Sequence, residues 1–109
     1  MSFAHLHTHT SYSLLDGEGT IPKILDRAKE LGQNSMAITD HGNMYGVIEF
    51  YEYAKKIGIK PVLGCEVYVA ARTRFDKIHE YDAVSSHLIL LAENNEGYKN
   101  LLIIYMQQE

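Results

Sequence analysis

Hydrophobic and polar positions along the chain fall into short blocks that switch between two periods. Ser35-Met36-Ala37-Ile38-Thr39, Pro61-Val62-Leu63-Gly64-Cys65-Glu66-Val67-Tyr68-Val69-Ala70 and His87-Leu88-Ile89-Leu90-Leu91-Ala92 are largely apolar runs that read as buried strands. Pro61 takes the tolerated first position of its run. Between these runs, apolar residues return at helical spacing. Ile21, Ile24, Leu25, Ala28 and Leu31 form one set; Met44, Val47, Ile48, Tyr51, Ala54 and Ile57 a second; Tyr98, Leu101, Leu102, Tyr105 and Met106 a third. Each marks the buried side of an amphipathic helix. Thr20 stands as the N-cap of the first helix with Pro22 in its first turn, and Gly32 and Gly58 end the first two helices.

The opening stretch Phe3–Thr10 also has a period of two. As a strand it would put Phe3, His5, His7 and His9 in one row and Leu6 on the other side. Thr10 to Thr20 is loop, with a turn signal at Asp16-Gly17. Arg72 to Ser86 is mostly polar; Phe75, Ile78, Tyr81 and Val84 recur every third residue, a stripe too narrow and uncapped for a firm helix. It reads as a long solvated excursion. The order is strand, helix, strand, helix, strand, long loop, strand, helix, so the expected class is α/β, a parallel sheet alternating with covering helices.

Bulk composition narrows the field. With 109 residues and 46% apolar content the chain is one domain at most. It has no apolar run long enough for a membrane span, and Met1-Ser2-Phe3-Ala4 lacks the basic start of a signal peptide, so a soluble, cytoplasmic protein without membrane partners is expected. Cys65 is the only cysteine, which excludes an internal disulfide and fits a reducing compartment. The net charge of −4 argues against an autonomous nucleic-acid binder. A phosphate substrate would have to be attracted by bound cations.

Such cations have candidate ligands. In α/β folds of this kind sites gather where strands run into loops at their C-terminal ends, and here those ends carry His7 to His9 and Asp40-His41. The histidine run is interleaved with Phe3, Ala4 and Leu6 and leads into patterned sequence, which sets it apart from an expression tag. Imidazolium ions side by side repel, so such a row needs deprotonation or a cation to coordinate. Glu66 interrupts an apolar strand, as a water-facing edge residue or as a carboxylate bridging two cations. Asp16 is ordinary turn chemistry or a ligand; Asp40 is a helix cap or a support for the site. His41 directly follows an apolar strand whose exit should lie near that of the first strand. His87 begins its strand, which puts it at the wrong end of a parallel sheet unless the long loop brings it back. His79 reads as a surface residue and His5 as structural or supporting. Mixed imidazole and carboxylate ligands suit zinc, manganese or iron, and paired ions lower the pKa of a bound water and clamp a phosphate ester.

His7-Thr8-His9-Thr10, Asp16, Thr39-Asp40-His41-Gly42, Gly64-Cys65-Glu66 and His87-Leu88 resemble, in order, the motifs of the PHP (polymerase and histidinol phosphatase) family. The longer strings from Phe3 to Gly17 and from Ala92 to Leu101 resemble the form of that domain found at the N-terminus of bacterial replicative DNA polymerase III alpha subunits, and the likeness runs over residues 1–109. The resemblance implies a distorted seven-stranded βα barrel, of which this chain would be a partial domain, its N-terminal half. It implies up to three divalent ions, zinc or manganese: His7, His9 and Glu66 for one, Asp16 and His41 for a second, Glu66 with His87 for a third. His5 and Asp40 would support those ligands. Family members take further ligands from later motifs that this sequence does not contain, so each site would be incomplete.

The function so implied is part of a DNA-directed DNA polymerase in DNA replication. DNA and other replisome subunits would be partners through the longer protein, and the metal site would act as a phosphoesterase or 3′-to-5′ exonuclease. A free-standing phosphatase of the histidinol-phosphate type and a non-catalytic, metal-stiffened scaffold are the alternatives. Without its barrel neighbour the last strand would present an open edge, and self-association is expected.

Overall fold

The computed structural model describes residues 3–13, 17, 19–73 and 75–107. Asp16 and Arg74 lie outside the described residues. The first helix, α1 (Ile21–Glu30), follows an extended Thr20 whose side chain makes no cap hydrogen bond; Pro22 lies in the first turn, and Arg27 and Lys29 sit where the helix dipole favours cations. Ile21, Leu25 and Ala28 are buried on one side, as their spacing predicts. Strand β1 (Ser35–Ile38) is buried from Met36 onward.

Helix α2 (Val47–Ile57) starts three residues later than the apolar pattern suggests and ends at Gly58, whose φ of 83° gives the left-handed cap. Its buried side is Val47, Phe50 and Ala54, while Ile48 and Tyr51 are exposed. The expectation of Ile48 and Tyr51 as core is corrected here, because Phe50 defines a face rotated away from them. Phe50 is fully buried among Ile21, Leu25, Ile38, Val47 and Ile59. Truncating it to alanine is worth about 3–5 kcal/mol.

Strand β2 (Lys60–Val69) is central in a three-stranded sheet ordered β1-β2-β3. It pairs in parallel with β1, Ser35 opposite Lys60 and Ile38 opposite Leu63. Strand β3 (Ser86–Ala92) pairs with β2 in the antiparallel sense, from Leu63 opposite Ala92 to Val69 opposite Ser86. An all-parallel sheet is therefore corrected to a mixed one. The reason lies in the connection: among its described residues, the segment between β2 and β3 forms only one helical turn, α3 (His79–Asp82), with no crossover helix to carry the chain back to the sheet's other end. The side chains of Phe75, Ile78, Tyr81 and Val84 are exposed around that turn, as expected of a solvated excursion.

Helix α4 (Asn95–Met106) is capped by Asn94, whose side-chain oxygen accepts from the Gly97 amide at 2.9 Å. Only Leu101 is buried within it; Tyr98, Leu102 and Tyr105 are half-buried and Met106 is exposed, which corrects the placement of Met106 on the buried side.

The opening stretch is not a regular strand. It lies along the free edge of β1 and runs the same way, with the carbonyls of His5 and Thr8 accepting from the amides of Ala37 and Thr39, each at 2.9 Å. A bend at Leu6-His7 interrupts the ladder. That bend breaks the period of two, which separates His5 from His7 and His9. No helix among the described residues is long and apolar enough to cross a membrane.

Candidate metal centre

Glu66 is the middle of the site. It sits on the central strand and is only 6% exposed, so the water-facing edge reading is excluded. An unpaired carboxylate buried this far costs several kcal/mol, and the structure supplies imidazoles on both sides. Glu66 Oε2 lies 2.8 Å from His9 Nε2, and Oε1 lies 3.5 Å from His7 Nε2 and 3.6 Å from His87 Nδ1. The imidazoles also face one another in pairs: His7 Nε2 to His9 Nε2 is 3.1 Å and His41 Nε2 to His87 Nε2 is 3.4 Å. Together the five side chains line an open cleft of about 550 Å³.

A tetrahedral ion bonded to two imidazole nitrogens at about 2.0–2.1 Å holds them about 3.3 Å apart. Both imidazole pairs are already at that spacing. Among the described residues, ligand atoms within 4.8 Å of one another form two groups, His7 with His9 and Glu66, and His41 with Glu66 and His87. The two share Glu66, whose two oxygens suit a bridging carboxylate. The donor set fits a pair of borderline divalent cations.

Each ligand arrives for a local reason. His7 and His9 follow the bend beside β1, and His41 follows the exit of β1, where it bridges to Glu66. The Gly42 amide donates to the Glu66 carbonyl at 2.9 Å, and the Glu66 amide donates to the Asp40 carbonyl at 3.1 Å. His87 reaches the cluster because β3 is antiparallel: its first residues lie beside the last residues of β2, with His87 opposite Tyr68. The difficulty of a strand-start ligand disappears with the direction of β3. No return of the long loop is needed.

Asp40, 1% exposed, organises the backbone beneath the cluster. It accepts from the Thr10 amide at 2.6 Å, the Thr10 hydroxyl at 2.7 Å and the Ser13 hydroxyl at 3.0 Å. Ser13 Oγ in turn accepts from the His41 amide at 2.7 Å. Asp40 is thus no helix cap; α2 begins after Gly46 and has no side-chain cap. Thr10 stood in the histidine motif and Ser13 read as turn chemistry; their bonds to Asp40 had no signal in the sequence, because a loop has no periodicity to mark its inward-facing residues. Cys65, fully buried beside Glu66, donates to the carbonyls of Asp40 and Asn43 at 3.5 and 3.4 Å. Burial pushes its thiol up to about 11, so it stays protonated near neutral pH.

Two expected residues stand apart. His5 packs its ring edge-on against Phe3 at 4.9 Å and lines a groove with α1 residues, away from the cleft. Asp16, expected to pair with His41, is outside the described residues; among those described, His41 is grouped with Glu66 and His87.

A family model described as PHP domain matches residues 5–107. The chain belongs to the PHP domain family. This PHP domain chain is 48% identical over 105 residues to DNA polymerase III subunit alpha of Treponema pallidum, covering 95% of this chain and 9% of that protein. It is 52% identical over 101 residues to DNA polymerase III subunit alpha of Borreliella burgdorferi, covering 92% and 9%. The chain therefore spans about a tenth of the length of these relatives. Among solved structures, it is similar to a candidate metal-dependent phosphoesterase from Bifidobacterium adolescentis, with a TM-score of 0.62 and 25% identity over 92% of this chain and 32% of the other. It is also similar to an amidohydrolase from Chromobacterium violaceum, with a TM-score of 0.64 and 27% identity over 93% and 32%. A PHP chain of this α/β type, with its imidazole and carboxylate cluster, fits divalent-metal binding.

Proposed function

We propose that this chain is a metal-binding portion of the PHP domain of a DNA polymerase III alpha subunit, and that its cluster serves hydrolysis of phosphate esters. The observation that carries this reading is the sharing of one buried carboxylate, Glu66, between two imidazole pairs already spaced for a cation. His7, His9 and Glu66 would hold one ion and His41, Glu66 and His87 another, with Asp16 a further ligand on the family pattern. Zinc or manganese suits four imidazoles and one carboxylate better than magnesium or calcium. Bound there, such ions supply a water of lowered pKa and positive charge for a phosphoryl oxygen. The chain's own residues hold that arrangement: Glu66 keeps the two imidazole pairs together, and Asp40 and Ser13 fix the backbone that presents His41.

The parent activity is DNA-directed DNA polymerisation in the cytoplasm, with DNA and the other replisome subunits as partners, and the metal site acts as a 3′-to-5′ exonuclease or phosphoesterase. What supports this is the identity of roughly half the residues to alpha subunits. The full domain is a seven-stranded barrel of which residues 1–109 are a part; the open β3 edge and the coverage of about a third of each solved neighbour are consistent with that. The same edge, seven residues without a charged side chain apart from its one histidine, supports self-association of the isolated chain. The test is hydrolysis of a phosphodiester by the complete alpha subunit, wild type and Glu66→Gln, with zinc or manganese added. Metal-dependent turnover that Glu66→Gln abolishes is expected. Metal uptake without any turnover would leave the scaffold reading in its place.

A further inference from the structure

Tyr68 touches two of the four clustered imidazoles. It lies two residues beyond Glu66 on β2, so both side chains project from the same face of the sheet. Its ring centroid is 5.0 Å from that of His41 and 5.2 Å from that of His87, and the two imidazole centroids are 4.5 Å apart. The three rings close a triangle. The Tyr68–His87 pair meets nearly edge-on at 80°, the arrangement in which the positive edge of one ring meets the electron-rich face of another.

Gly42 completes the fit. A Cβ there would stand 3.0 Å from Tyr68 Cε2 and 3.3 Å from its hydroxyl oxygen, so the phenol lies directly on the Gly42 backbone. The glycine's φ of 67° also suits it to the tight turn that carries His41 back toward Glu66. His41 and His87 come from elements far apart in sequence. His87 is 45% exposed on the edge strand, so it needs a wall to keep its ring aimed at His41.

We propose that Tyr68 is a positioning residue that holds the His41 and His87 imidazoles with their Nε2 atoms facing, and so sets the affinity of that subsite for a divalent cation. The inference rests on the metal-binding reading above, and it is selective. His9 meets His41 at 5.8 Å between ring centroids, a looser contact than those Tyr68 makes with His41 and His87, so loss of the phenol should weigh far less on the His7–His9–Glu66 group. The ring makes the contacts with both imidazoles, so phenylalanine should keep the positioning that leucine loses.

Proton NOEs between the His41 and His87 rings, recorded on the metal-free chain, read the positioning directly. They are expected in wild type and in Tyr68→Phe, and should be lost in Tyr68→Leu and Tyr68→Ala. Zinc titration of the same proteins should show the His41–Glu66–His87 subsite weakened about 10-fold or more in Tyr68→Leu. The His7–His9–Glu66 subsite should stay within about twofold, and Tyr68→Phe should lose clearly less than Tyr68→Leu at the first subsite. Far-UV circular dichroism checks that each variant folds. Persistence of the NOEs in Tyr68→Leu, equal weakening of both subsites, or a loss in Tyr68→Phe as large as in Tyr68→Leu would each overturn the proposal. A wild type that takes up no zinc would instead refute the metal-binding reading, and the NOEs would still decide the part played by Tyr68.

Discussion

Replacing Asp40 by alanine should cost this chain a large share of its stability. The carboxylate is 1% exposed and receives three donors, the Thr10 amide at 2.6 Å, the Thr10 hydroxyl at 2.7 Å and the Ser13 hydroxyl at 3.0 Å. Alanine leaves all three without their acceptor. A buried donor so abandoned costs about 1–3 kcal/mol. The hydroxyls can turn toward other acceptors, whereas the amide cannot, so the sum falls at about 3–5 kcal/mol. Domains of this size have about 5–15 kcal/mol in total. Even the lower figure corresponds to a fall of about 12 °C or more in Tm. Asp40→Asn keeps the volume and one acceptor oxygen and should lose only about 1–2 kcal/mol. Thermal unfolding followed by circular dichroism, with urea denaturation beside it, measures both variants. A loss below about 1 kcal/mol in Asp40→Ala would show that the network is not what ties residues 10–13 to the end of β1.

Cys65 offers a test by pH. Its pKa rises from 9.0 to about 11 because burial penalises the thiolate. The native state therefore holds its proton more tightly than the unfolded chain does, so stability is at its full value below pH 9.0 and declines as pH climbs toward about 11. Urea midpoints across that range should fall less steeply for Cys65→Ala than for wild type, and an equal slope would refute the assignment. Removing the α4 cap with Asn94→Ala should cost about 1 kcal/mol by urea denaturation, an effect that vanishes if the bond to the Gly97 amide does not form. A lysine at Leu88 on the β3 edge should reduce self-association of the isolated chain by light scattering, since edge charges oppose strand pairing; a wild type that is monomeric at all concentrations would contradict that.

Local patterning made most of the elements readable. The apolar spacing from Ile21 to Ala28 produces α1, Gly58 closes α2, and the run from Pro61 to Val69 is the central strand. What one sequence could not convey was direction. Nothing within Ser86–Ala92 states whether it runs with or against β2; that depends on the helix-poor connection before it, and it decides where His87 lies. The Phe3–Thr10 row had the right residues and the wrong regularity, because a bend at Leu6-His7 places His7 and His9 in the cleft and leaves His5 beside α1. Glu66 stood out as a charge in an apolar strand, a conflict that the surrounding imidazoles resolve. Tyr68, by contrast, has no sequence signal beyond its apolar run; its contacts with His41 and His87 arise only from the tertiary fold.

In the metal-loaded chain two cations would share Glu66. Native mass spectrometry of the chain after zinc addition and desalting counts them directly. Two zinc ions per chain are expected in wild type, with Glu66→Gln retaining at most a weakly held remnant. A wild type with no bound zinc, or a Glu66→Gln protein carrying the same number, would contradict it.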